Sequence, residues 1–440
     1  HGRSYQYFQG EVLYPFGYGL SYTRFDYSRP TIFRNATGDI TAMVDVKNAG
    51  KMTGDEIVQC YASCPEWQKT GLKRRLVAYS RISLKPGENK TIGLAIPREL
   101  LCRYDTLTDQ WHEVASRYTI DVVSNSAATN SVTLRTDDDI MMYSDTTRIG
   151  RPYAKDPYVV FYKGRYLMYY SIPSKRGGTG GWGIGIAESK DKKHWIRVGE
   201  VERDPNAYYE RKGYCAPCAQ VVDGKLHLFY QTYGNGRGDA ICHAVSDDGL
   251  HFTRDASNPI FSPTGDWNCG RAIDAEVKFF KGKWFLYFAS RDKAFKRQIQ
   301  GVAVAPKGTD FSRGQWKLAV DAPTLTPDLP WEENCIEGAS IVEHKGKLYL
   351  FYGGAYNNYP QQIGVAVSSD GIHFKRVYDK PLLTNGASGE WNSSESGHPD
   401  IFRDADGSTT LFYQGNSDNG RTWYISSTPI LWDKKGPHLP

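Results

Sequence analysis

"GRYLMYYS", residues 164–171, joins a turn-forming Gly to a short strand dense in Tyr. The pattern returns as GKLHLFYQ from Gly224, GKWFLYFA from Gly282, GKLYLFYG from Gly346 and GSTTLFYQ from Gly407. The five copies recur at about 60 residues, a little above the usual blade lengths but within the range that marks propellers and similar arrays. An apolar strand precedes each copy, DPYVVFY in the first, and a third strand follows: GIGIAES, AICHAVS, IQGVAVA, IGVAVSS and TWYISST. Four copies then close on an aromatic in a fourth strand, KHWIRV, LHFTRD, TDFSRG and IHFKRV. Four strands per repeat in five repeats predict a five-bladed β-propeller over residues 150–440.

The composition agrees with an all-β chain. Its 440 residues include 30 Tyr, 18 Phe, 11 Trp and 44 Gly, with few stretches of helical period. The formal charge of +5 is spread thinly, and its one dense run, Lys73, Arg74 and Arg75, reads as a solvated face rather than a nucleic-acid patch. No apolar stretch approaches the ~20 residues of a membrane span. The chain begins at His1 without a signal-peptide pattern, so it reads as processed or cut from something longer. Eight Cys are too sparse for a disulfide scaffold, and Cys215 and Cys218 form a lone C-x-x-C that reads as strand cysteines rather than a zinc site. Sequons at Asn35, Asn89 and Asn392 matter only in a eukaryotic secretory setting.

A propeller gathers the starts of its inner strands around one funnel, so equivalent positions can be compared. Eight residues before the aligned Gly stand Asp156, Ala216, Asp274, Gly338 and Pro399; nine before stand Lys155, Cys215, Ile273, Glu337 and His398. Asp also caps turns, which is the ordinary reading of either aspartate alone. Three acids in register on otherwise apolar strands point to chemistry, because burying a carboxylate without a partner costs several kcal/mol.

Glycoside hydrolysis needs a carboxylic acid to protonate the leaving oxygen and a carboxylate on the other side of the ring, and a third acid can tune the first. A catalytic metal is not expected, since the acids come singly from separate blades; a structural calcium ion in the channel near His398 is left open. Trp182, Trp267, Trp331 and Trp391 lie in loops or just upstream of strands, where they either pack the blades or offer flat faces to sugars. Arg271 and Arg421 are candidates to hold sugar hydroxyls or orient a carboxylate, with surface ion pairing as the alternative.

At these residues the chain resembles glycoside hydrolase family 43, within the clan of five-bladed glycosidases it shares with family 32. KDPYVV, RAIDAEV and CIEGAS match the family's general base at Asp156, modulator at Asp274 and acid at Glu337; SGHPDIF resembles its histidine segment, with His398 lining the channel. CAPCAQ departs from the W-A-P signature of blade two, Cys215 standing for Trp. Lys155 before the Asp and Gly338 after the Glu depart from family 32 and favour the inverting family. The resemblance implies an exo-acting enzyme on β-xylosides or α-L-arabinofuranosides of plant-type glycans, with galactosidase-like or endo-arabinanase-like specificity as the alternative. A glycan-binding propeller without turnover is the rival of another class.

Upstream, YFQGEVLYPFGYGLSYTRF, VDVKNAGKMTGDEIVQCY and RISLKPGENKTIGLAI resemble the fibronectin type III-like domain that ends family 3 β-glycosidases. The alternation in TAMVDV and the turns at NAG and KPGEN independently predict a sandwich of about seven strands. The expected layout is an extended segment over 1–24 packing on the following domains, a sandwich over 25–140, then the propeller. The resemblance implies an upstream catalytic domain missing from this chain and a secreted or periplasmic address.

Overall fold

The computed structural model describes residues 4–34, 40–105, 110–115, 117–135, 141–174, 181–388 and 390–440, and its regular structure is almost entirely strand. Asn35 lies outside the described residues. Among the described residues, no helix is long and apolar enough to cross a membrane. Two compact units divide the chain: His1–Met142 with Ala387–Trp391, and Tyr143–Gly386 with Asn392–Pro440.

The first unit is a β-sandwich. Ile40–Asn48 pairs on one side with Asn89–Ile96 and on the other with two short strands, Thr31–Arg34 along its start and Phe25–Tyr27 along its end. The facing sheet runs in the order Ser131–Arg135, Arg117–Val123, Gly54–Ser63, Arg75–Leu84. Because the two short strands share one edge, the sheets offer seven lanes. The alternation seen in the sequence becomes the core: Ile40, Ala42, Val44 and Val46 point inward to Val58, Cys60, Ile120 and Val122. The segment expected to be extended is instead built of turns in residues 4–24; Tyr5 stacks on Phe16 at 4.8 Å, and its hydroxyl accepts the Leu76 N–H at 3.0 Å.

The second unit is the propeller. Its inner strands are Lys155–Tyr162, Tyr214–Val222, Ile273–Phe280, Ile336–His344 and Glu395–Arg403, each paired to a second strand: Arg165–Pro173, Lys225–Thr232, Lys283–Arg291, Lys347–Gly354 and Thr409–Asn416. Each inner strand packs on the next and the fifth on the first, closing a ring. The sequence repeat is a repeat of turns. Lys163-Gly164, Asp223-Gly224, Lys281-Gly282 and Lys345-Gly346 all have both residues at positive φ, between 46° and 83°. Two-residue turns of that type carry the twist of the strands they join, which is why Gly recurs there.

Two expectations about the outer strands need correction. In blade three the outermost strand is Lys317–Leu318, not TDFSRG; Phe311 of that stretch is buried against Trp284 at 5.1 Å and Trp316 at 6.0 Å. Blade five takes its outermost strand, Met142–Tyr143, from the other end of the propeller sequence, so the unit starts before residue 150. A two-residue strand supplied out of order carries no periodic signal.

Deeper along the inner strands, side chains latch each blade to the next. Cys218 Sγ accepts the Val277 N–H at 3.3 Å, Glu276 Oε1 that of Ile341 at 3.0 Å, Ser340 Oγ that of Ile401 at 2.9 Å, and Asp400 Oδ2 that of Val159 at 2.7 Å. Burial pushes Glu276 up to about 7, and burial together with Glu276 raises Asp400 well above its ordinary value. These two carboxyls hold the ring together and stand apart from the acids at the funnel.

Candidate active site

Every inner strand opens with one irregularity. The pairing register with the second strand shifts, and one residue at that shift takes a left-handed backbone: Asp156 (φ 50°), Ala216 (49°), Asp274 (52°), Gly338 (60°) and His398 (42°). Such a bulge re-aims the side chain, at a cost of about 1–2 kcal/mol for a residue with a Cβ. In four blades the freed N–H is received by a side chain of the preceding blade. Gln414 Oε1 accepts from Asp156 N at 2.9 Å, Ser171 Oγ from Ala216 N at 2.8 Å, Gln231 Oε1 from Asp274 N at 2.7 Å, and Gln361 Oε1 from His398 N at 3.0 Å.

This geometry corrects the count that set Pro399 level with Asp156. The fifth hairpin pairs Arg403 with Thr409 across a longer loop than the two-residue turns of the other blades, so His398 takes the bulge position. Gly338 is required where it stands, since a Cβ on it would meet His398 Nδ1 at 3.0 Å.

Glu337, one residue before that bulge, is held by three side-chain amides. Gln298 Nε2 donates to Oε2, while Gln361 Nε2 at 2.7 Å and Asn357 Nδ2 at 3.3 Å donate to Oε1. Each amide is pinned the right way round by a donor on its oxygen. Arg271 (3.4 Å) and Arg291 (3.2 Å) donate to Gln298, Lys155 Nζ (2.6 Å) to Asn357, and the His398 N–H to Gln361. Gln361 is fully buried and fits only because its neighbours are glycines: a Cβ would come within 2.9 Å of it at Gly353 and 2.0 Å at Gly397.

The two aspartates occupy equivalent bulges and equal burial, each 8 % exposed, yet differ electrically. Burial disfavours ionisation of Asp156, but His398, with Nδ1 3.3 Å from Oδ1, Lys155 and the Ser171 hydroxyl outweigh it and hold the carboxyl below its ordinary value. Burial pushes Asp274 up to about 7; His398 resists, while the charges of Glu337 and Asp156 add to the rise. Lys155 stays cationic despite its burial because Asp156 and Glu395 face it.

The sign for stability follows. Native Asp274 keeps its proton up to about pH 7, whereas an unfolded Asp releases it near 3.8. The stability this proton contributes is therefore complete below pH 3.8 and lost as pH rises through 7. Asp274→Asn is expected to be more stable than the wild-type chain by about 2–4 kcal/mol at pH 8, with the gap closing toward pH 4. Urea melts at the two pH values measure it.

The other expected site residues divide. Trp182 stays near the acids: the Lys155 ammonium lies 5.7 Å from its ring, and Tyr153 and Tyr233 flank it at 5.9 Å. Arg271 pairs with Asp239 at 3.5 Å and steadies Gln298, so it supports Glu337. Trp267 packs instead against Phe288 in the core of blade three, and Trp331 stacks on Tyr352 at 5.9 Å with its N–H on the Asp379 carbonyl. Trp391 groups with the first unit. Arg421 sits before the third strand of blade five, its carbonyl receiving Arg151 Nε at 2.6 Å.

Residues given no site role from the sequence complete the site: Lys155 as a buried cation, the amides of Gln298, Asn357 and Gln361, and Trp423, whose ring lies 4.4 Å from the Lys155 ammonium. Lys155 was readable as the neighbour of Asp156; the amides, neutral and scattered, left no pattern.

Residues 56–126 match the fibronectin type III-like domain and residues 146–436 the glycosyl hydrolases family 43. Among solved structures, a thermostable family-43 glycoside hydrolase superposes with a TM-score of 0.53 at 20 % identity, over 68 % of this chain and 96 % of that one. An endo-1,4-β-xylanase from Bacteroides thetaiotaomicron gives 0.53 at 22 %, over 65 % and 94 %. An α-L-arabinofuranosidase from Lactobacillus brevis gives 0.51 at 17 %, over 65 % and 94 %. At these identities the likeness is one of fold.

Curated relatives match over shorter stretches. The thermostable β-glucosidase B of Acetivibrio thermocellus is 35 % identical over 113 residues, 25 % of this chain and 15 % of that protein. A β-xylosidase of Formosa agariphila is 40 % identical over 95 residues, 21 % and 13 %. The chain thus spans 15 % or less of the length of these two relatives. With its propeller matched from residue 146 to 436, the chain belongs to the glycosyl hydrolases family 43.

Proposed function

We propose that the propeller hydrolyses glycosidic bonds with inversion, acting from the chain end on β-xylosides or α-L-arabinofuranosides of plant-type glycans. The observation that carries this reading is the electrical split between two equivalent aspartates: Asp156 is kept ionised, as a base requires, and Asp274 is driven toward its protonated form. Asp156 takes a proton from water, and the oxygen attacks the anomeric carbon from the face opposite the leaving group. The Glu337 carboxyl gives its proton to the glycosidic oxygen as the bond breaks. Asp274, coupled by charge to both, tunes them. Trp182 offers a ring face for the sugar.

A panel of aryl β-xylosides, α-L-arabinofuranosides and β-galactosides, followed by proton NMR during turnover, tests it. The expected first product from an aryl β-xyloside is α-xylose. A retained anomer rejects the inverting assignment, and sugar binding without turnover on any member rejects catalysis. Action on glycan polymers fits an address outside the cytoplasm.

A further inference from the structure

On the rim of the funnel two guanidinium groups share one aromatic ring. Arg237, in the loop after the second strand of blade two, lies 5.1 Å from the centroid of Phe295, and Arg291 of blade three lies 4.5 Å from the same ring and 5.3 Å from that of Tyr356. Phe295 is held at φ 62°, a strained conformation for a bulky residue. Two neighbouring cations are matched: Lys293 pairs with Asp266 at 2.9 Å and Arg297 with Asp328 at 3.5 Å.

Arg237 and Arg291 are not matched. Among the described residues no carboxylate lies within 4.0 Å of either guanidinium. Arg237 donates to the Lys293 carbonyl at 3.2 Å; Arg291 donates to Gln298 Oε1 at 3.2 Å and the Phe295 carbonyl at 3.4 Å. Two guanidiniums beside one ring and without a carboxylate partner keep N–H donors that an anion can take up. Their position gives the anion a role, since Arg291 is one side chain, Gln298, away from Glu337.

We propose that Arg237 and Arg291 form an anionic subsite that receives the carboxylate of a uronosyl residue on the leaving-group side of the scissile bond. The side assignment rests on Glu337 being the acid, because the acid faces the departing oxygen. A guanidinium fork matches a carboxylate in two parallel hydrogen bonds, and the Phe295 and Tyr356 rings offer faces for the pyranose that carries it.

The test separates this claim from the catalytic one by measuring binding. Glucuronosyl-bearing xylo-oligosaccharides, and the same oligosaccharides with the carboxyl reduced to an alcohol, are titrated by calorimetry into the Glu337→Gln chain. The acidic form is expected to bind about tenfold tighter at 50 mM salt, with the advantage shrinking at 300 mM as screening grows. Arg237→Gln, an exposed position, is expected to remove that ratio, and Arg237→Glu to reverse it. Equal affinity for the two forms, no binding of the acidic form, or a ratio untouched by Arg237→Gln overturns the subsite. Loss of turnover on neutral aryl glycosides by the wild-type chain would instead strike the catalytic reading and leave this ratio standing.

Discussion

Asp156→Asn is expected to lower kcat by about 10²–10⁴-fold on every substrate the wild-type chain hydrolyses, whatever the leaving group. A base acts on the attacking water, so its loss is felt equally by good and poor leaving groups. The substitution suits the fold: the position is left-handed at φ 50°, and Asn tolerates that region as Asp does. The backbone N–H of residue 156 still has Gln414 Oε1 to receive it. Steady-state kinetics beside a thermal melt distinguish the cases. A melt within a few degrees of wild type with kcat reduced supports the role, and near-normal kcat removes Asp156 from it.

Glu337→Gln is expected to give an effect of similar size that depends on the leaving group. On an oligosaccharide, whose departing alkoxide needs a proton, kcat falls by about 10²–10⁴-fold; on an aryl glycoside with an acidic phenol the loss shrinks to about tenfold. The amide keeps the shape of the carboxyl, so the cage of Gln298, Asn357 and Gln361 is retained in part; one donor then faces another donor, which loosens it. A plot of log kcat against phenol pKa shows the difference as a steeper slope for the variant. Equal loss on all phenols assigns Glu337 some other part.

The pH behaviour follows from the same charges. Asp156 is ionised through the neutral range because His398 and Lys155 outweigh its burial, whereas Asp274 titrates near 7. The burial that costs the fold above neutral pH also leaves this carboxyl coupled by charge to Glu337 and Asp156.

Much was legible along the chain because it is local. The turns at Lys163-Gly164, Asp223-Gly224, Lys281-Gly282 and Lys345-Gly346 are each specified by two adjacent residues, and their spacing sets four of the five hairpins of the propeller. The alternation in Ile40–Asn48 likewise sets one face of a sandwich. Register along equivalent strands set Asp156 and Asp274 at equivalent bulges, with Glu337 one residue before its own.

What the sequence could not order is what converges from separate blades. Trp182 opens a strand and Trp267 lies in the loop before one, yet one flanks a buried lysine and the other packs against a core; a large aromatic carries the same local signal in either place. His398 reached the level of Asp156 through the length of one loop, and Met142–Tyr143 closed the ring by pairing with Tyr424–Trp432 from the far end. Short-range patterning of turns and apolar residues fixed the architecture, while the amides about Glu337, the opposite tuning of two like aspartates and the unmatched arginines on the rim were decided by tertiary structure. Electrostatics and hydrogen bonding act across space between residues as far as 258 positions apart in the case of Asp156 and Gln414, and no periodicity records such a meeting.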